Sequence, residues 1–168
     1  MNHQLILMGR IDRISENLNQ AVKYVAAFLI AAMSVLVFLQ VLFRYVLDAP
    51  LDWSEESSSF AFVWMALLGA SIGLKYEEHP SLDIFFKLFP SGIQKLAKIL
   101  INLSIIFMLV ILFIFGLKFT LAMRMQSTAA LGYSVAFVYV VLPISAVIML
   151  IHVIVQTVQL FKKELEGK

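Results

Sequence analysis

Residues 51–74 read LDWSEESSSFAFVWMALLGASIGL. The opening positions hold Asp52, Glu55, Glu56 and serines 57 to 59, and from Phe60 to Leu74 the stretch is an apolar run. That run of 15 residues is short for a bilayer crossing; a hydrocarbon core of about 30 Å needs roughly 20 helical residues. It spans only if the serines and Glu56 belong to the same helix, which places a crossing near residues 56–74. Two adjacent carboxylates then sit at the mouth of a membrane helix.

The surrounding composition favours that reading. Of the 168 residues, 61% are hydrophobic and 14% charged, and the mean hydropathy is +0.92. A soluble core of this size could not hide so many Phe, Leu, Ile and Val side chains, so the chain reads as an integral membrane protein. Cysteine is absent, which excludes disulfides, thiolate catalysis and cysteine-ligated metal centres. The first 20 residues, with Arg10, Asp12, Arg13 and Glu16, do not have the pattern of a cleavable signal peptide.

Three further apolar stretches are long enough to cross, giving spans near 24–43, 56–74, 97–119 and 135–156 in a single membrane domain over residues 1–168. Only helices or closed barrels span lipid, and nothing in the chain alternates with period two. The expected fold is therefore all-α, with four transmembrane helices. Lys and Arg set the orientation. Ten of the 13 lie in the N-terminal segment, the 75–98 loop and the C-tail, leaving Arg44, Lys118 and Arg124 in the other two loops. Positive charge favours the cytoplasm, so both termini are expected inside, and Glu55 and Glu56 outside, facing the periplasm in a bacterium.

Between the spans, Leu7, Ile11, Ile14, Leu18 and Ala21 recur at helical spacing. This predicts an amphipathic N-terminal helix lying on the membrane or on a partner. Leu82, Phe85, Phe86 and Phe89, bracketed by Pro80 and Pro90, predict a short interfacial helix in the central cytoplasmic loop. Ser91 with Gln94 resembles a capping box opening the third helix, which would reach roughly 50 Å if it continued to Met125.

Asp52 is expected to cap the second helix, with Glu55 completing a capping box. Both glutamates also stand where the helix dipole favours negative charge. Trp53 belongs at the water–lipid boundary, and Arg44 is the obvious counter-charge. Capping does not explain the polar run after it, so helix start, subunit contact and ion site all stay open. Glu55, Ser59, Phe62, Ala66, Gly69 and Gly73 fall at alternating spacings of four and three. This small-residue stripe, containing a G-x-x-x-G match, predicts a face that meets another helix, whether in this chain or in a partner. Pro143 should kink the fourth span, and Asn102 and Ser104 read as helix–helix hydrogen-bonding groups. His152, near the cytoplasmic end of the fourth span, reads as a packed histidine. No phosphate loop, zinc-protease motif, serine–histidine–acid set or mid-span acid is present, so no enzyme activity, cofactor, metal or nucleic-acid partner is expected.

The run Phe43-Arg44-Tyr45, Pro50, Trp53-Ser-Glu55-Glu56, then Gly69, Glu78-His79 and Asp83, resembles the small membrane subunit of tripartite ATP-independent periplasmic (TRAP) transporters. Thr128-Ala-Ala130-Leu131, Tyr139 and Pro143 are similar to that family's last span, whereas Pro80 departs from its usual aliphatic residue. The resemblance implies a static, non-catalytic scaffold in a bacterial inner membrane. It would brace a large, sodium-coupled membrane subunit that moves as an elevator, and help to dock a periplasmic binding protein carrying an organic acid. It also implies that Arg44, Trp53, Glu55 and Glu56 serve the outer end, while Gly69 and Gly73 serve close packing. Two other readings stand beside it: a self-sufficient small transporter using Glu55 or Glu56, and a redox anchor holding haem through His152.

Overall fold

The computed structural model describes residues 2–76 and 91–166. The Leu82–Phe89 stretch, Glu78-His79 and Asp83 lie outside them, as does the side chain of Ser91. Among the described residues the fold is all-helical. It consists of α1 (Asn2–Tyr45), α2 (Asp52–Lys75), α3 (Ser91–Ala122), a short α4 (Ala136–Tyr139) and α5 (Val141–Glu166). Four of these, α1, α2, α3 and α5, are long and apolar enough to cross a membrane. The chain is a multi-pass membrane protein.

α1 is one unbroken rod of 44 residues, about 66 Å at 1.5 Å per residue and far longer than a bilayer core. The amphipathic stretch and the first apolar span are thus a single helix. A turn at 46–51 reverses the chain. Asp48 takes the left-handed conformation there, at φ 47°, which Asp tolerates better than most residues. The amide of Ala49 reaches back to Phe43 O at 3.0 Å. α2 then returns along α1. After α3, a 3₁₀ turn at Met123–Met125 carries the helical path on to Met125. The chain then folds into a tight hairpin, with Thr128 N–H donating to Tyr133 O at 2.8 Å and Val135 N–H to Gln126 O at 2.9 Å. Gly132 supplies the positive φ, 70°, at its tip.

The fourth apolar stretch is broken at Val140, between α4 and α5. Pro143 stands in the first turn of α5, where a missing N–H costs least. The carbonyl it cannot bond is that of Tyr139. Thr120 on α3 fills the place: its Oγ1 lies 3.0 Å from Tyr139 O and 2.8 Å from Gly116 O. In lipid a freed carbonyl needs such a partner, because no water competes.

α5 is the most buried of the four. It packs between α2 and α3, while α1 lies along α2. One apolar cluster joins α1, α2 and α5 through Val22, Leu68, Val141 and Ile148. A second joins α3 to α5 through Leu109, Met149 and Val153. α3 and α5 approach closely at Gly116, where an added Cβ would stand 2.9 Å from Leu142 Cβ. Asn102 donates across the same interface to Thr157 Oγ1 at 3.1 Å. Ser104, expected to act likewise, instead bonds Leu100 O in its own helix.

Beside these apolar clusters the interior carries many small polar side chains. Ser15, Asn19, Ser54, Ser58, Ser71 and Ser145 are buried, while Ile14 is 59% exposed. Small hydroxyls let helices approach and bond one another, and lipid welcomes the apolar side chains turned outward.

Candidate functional site

The ionisable and polar side chains gather at the two ends of the bundle. At one end, the N-terminal part of α1 meets the C-terminal parts of α2 and α5. Ser15 Oγ and His152 Nδ1 share a hydrogen bond of 2.9 Å. Lys75 Nζ pairs with Glu16 at 2.6 Å and donates to Ser15 O at 3.2 Å. Tyr76 accepts from Asn19 at 3.0 Å and from Lys23 at 2.6 Å. The bond from Lys23 holds its hydroxyl below the usual phenol range. Gln156 donates to the last carbonyls of α2, Leu74 O at 2.7 Å and Lys75 O at 3.1 Å. This cluster ties three helices together. Sequence gave little sign of it, because its members lie scattered in three stretches that each read as a plain helix end.

The opposite end holds the motif of residues 51–60, where the two glutamates have different partners. Glu55 faces α1, 3.6 Å from the Arg44 guanidinium and 3.4 Å from Gln40 Nε2. Glu56 faces the 126–135 hairpin. Its carboxylate accepts three successive backbone amides: Ala129 N–H at 3.1 Å, Ala130 N–H at 3.0 Å and Leu131 N–H at 2.8 Å. A run of amides converging on one carboxylate is an anion nest filled by the protein's own side chain. Glu56 thereby fastens the loop between α3 and α5 onto the start of α2. Trp64, two turns further along, repeats the link by donating to Phe137 O at 3.3 Å.

The expected Asp52 cap is not formed. The N-cap position belongs to Leu51, with no side-chain hydrogen bond, and Asp52 is already helical. At the first helical position Asp52 stands one residue past the place from which a side chain caps the helix. Glu55, drawn toward Arg44, does not complete a capping box either. The serines are used differently from one another. Ser54 is buried and donates to Leu36 O on α1 at 3.0 Å, whereas Ser57, Ser58 and Ser59 bond carbonyls within α2. Trp53 is 44% exposed and, with Pro50, Asp52, Ala129 and Ala130, lines a shallow groove beside the Glu56 staple.

Of the stripe, Glu55 turns to Arg44 on α1, while Ser59, Phe62 and Ala66 below it are exposed. Gly69 and Gly73 continue it, and a Cβ on either would meet nothing within 4 Å. The face that packs within this chain carries Ser54, Ser58, Leu68 and Ser71 instead. Close approach through glycine inside the chain belongs to Gly116, which no motif marks.

Among the described residues no group of three or more His, Asp or Glu could hold a metal ion. Such a molecule is a polytopic helical membrane protein whose polar groups bind helices and loops to one another.

The chain belongs to the DctQ component family of tripartite ATP-independent periplasmic transporters, whose family model matches residues 33–163. It is a TRAP transporter subunit of the small-permease type, not an enzyme. It is 29% identical over 138 residues to the sialic acid TRAP transporter permease protein SiaT of Haemophilus influenzae, covering 82% of this chain but 22% of that one. With the C4-dicarboxylate TRAP transporter small permease protein DctQ of Vibrio cholerae it shares 32% identity over 85 residues, 51% of this chain and 37% of the relative. A putative TRAP transporter small permease protein of Haemophilus influenzae is 28% identical over 135 residues, 80% of this chain and 82% of that one. The chain thus spans well under half the length of the first two relatives.

Proposed function

We propose that this subunit is the static brace of a sodium-coupled TRAP transporter for an organic acid in a bacterial inner membrane. The large membrane subunit would carry the substrate and ion sites and move as an elevator against it. The observation that carries this reading is the outward stripe of α2. It is exposed along Ser59, Phe62 and Ala66 and open at Gly69 and Gly73, while the chain's own helices bury Ser54, Ser58, Leu68 and Ser71. A groove of small residues suits close contact with another membrane helix.

In the orientation favoured by the Lys and Arg distribution, the Glu56 end faces the periplasm. The stapled hairpin, Trp53 and Asp52 then form a rigid platform beside which a periplasmic binding protein could dock. The acid-bearing substrates named for two relatives, sialic acid and C4-dicarboxylates, support the substrate class. Little in the geometry supports transport by this chain alone: Glu55 is engaged by Arg44 and Gln40, and Glu56 by three amides. Haem ligation finds no more support, since the space beside His152 is only about 130 Å³, too small for a porphyrin.

Liposome uptake separates these readings. The brace model expects no sodium-driven uptake of organic acid by the purified chain, and uptake once a large subunit and a binding protein are added. Accumulation by the chain alone would refute it.

A further inference from the structure

Beside the Ser15–His152 contact lies a cavity of about 130 Å³, lined by Ser15, Glu16, Lys75, His152, Val155, Gln156 and Gln159. His152 is 1% exposed. Its Nδ1 is taken by Ser15 Oγ, and its buried Nε2 has no hydrogen-bond partner among the described residues. A buried ring nitrogen without a partner is costly at any depth, and more so in a membrane protein. We propose that this cavity is a water-binding site, a hydrated crevice that runs in from the end of the bundle and completes the coordination of His152.

The chemistry of the lining selects water over an ion or a charged headgroup. Lys75 and Glu16 neutralise one another at 2.6 Å. An anion would face the Glu16 carboxylate, and a cation would face the Lys75 ammonium. Lys75 spends two contacts on Glu16 and Ser15 O, so its three-proton head has one donor to spare. Gln156 spends its amide protons on the α2 carbonyls and offers the cavity its oxygen. The imidazole Nε2 is a donor or an acceptor according to which tautomer Ser15 selects. Water alone serves a donor, an acceptor and either tautomer, and the space is ample for it.

The absence of cysteine in the chain makes the test clean. Val153 and Val155 lie on the same helix and are both buried, at 0% and 7% exposure, but only Val155 lines the cavity. V155C and V153C, each in nanodiscs open to both faces, are treated with a small charged methanethiosulfonate. The reacting thiolate forms only where water reaches, so V155C should be modified about tenfold faster or more. Equal rates would overturn the site. In the unaltered protein, deuterium uptake at the His152 ring C2 position should proceed as readily as in a histidine-containing peptide. A ring that takes up no deuterium would equally overturn it.

Discussion

Removing the Glu56 carboxylate should release the loop between α3 and α5 from the start of α2. The amides of Ala129, Ala130 and Leu131 have this one side chain as their acceptor. A hydrogen bond to a charged group contributes about 1.5–3 kcal/mol when well shielded. Two of the bonds are exposed and the third is half-buried, and water can replace the acceptor, so each bond is taken at roughly 0.7 kcal/mol, or about 2 kcal/mol for all three. Glu56→Ala should therefore raise the opening of residues 129–131 about 30-fold, since 1.36 kcal/mol corresponds to a factor of ten. Glu56→Gln keeps one carbonyl oxygen, enough for the two amides that share Oε2, but sets an NH₂ group against Ala129 N–H. The loss should be about 1 kcal/mol, roughly a fivefold effect. Amide hydrogen exchange by mass spectrometry in nanodiscs reads this directly. The effect should be confined to the hairpin and the first turn of α2, with α3 unchanged. If Glu56→Ala left exchange at 129–131 within twofold of the parent, the staple would be a contact without energetic weight and the reasoning would fail.

Glycine substitutions should divide the two helix faces. Gly116→Ala forces a Cβ to 2.9 Å from Leu142 Cβ and should destabilise the α3–α5 pair by about 1–3 kcal/mol, seen as a lower melting temperature in detergent. Gly69→Ala and Gly73→Ala meet no atom and should leave the isolated chain as stable or slightly more so, while weakening its recovery with a large subunit. The Arg44–Glu55 pair is 3.6 Å apart, with side chains 50% and 63% exposed; Arg44→Ala should shift stability by less than about 0.5 kcal/mol, and a larger loss would mean the pair is shielded in the bilayer. Ser54→Ala removes the bond to Leu36 O and should cost about 0.6 kcal/mol, measured by the same melts.

The four crossing helices were legible because lipid demands apolar length, and length shows in a sequence. Which side of each helix turns inward was not, because lipid and protein interior are both apolar. Along the stripe expected to lie on the membrane or a partner, Ile14 and Ala21 are exposed, and the positions buried within the chain are Ser15, Asn19 and Val22 beside it. Composition singled out residues 51–60 as unusual, and their local contacts with Arg44 were within reach of spacing. The partner of Glu56 was not, being backbone 73 to 75 residues away, and backbone amides carry no sequence signature. The G-x-x-x-G match drew attention to Gly69 and Gly73, although the tight approach is made by Gly116, a lone glycine. Asp52 satisfied a capping pattern, but α2 starts one residue early, and that shift uncouples the motif.

The brace proposal is tested most directly by a photo-cross-linking residue placed at Ala66, in the middle of the outward stripe of α2, in native membranes. Cross-links should form to one large membrane protein of about a dozen spans, and the same probe at Ser71, on the inward face, should give none. Cross-links from Ala66 to lipid alone, or to a second copy of this chain, would contradict the reading of that face as the seat of the large subunit.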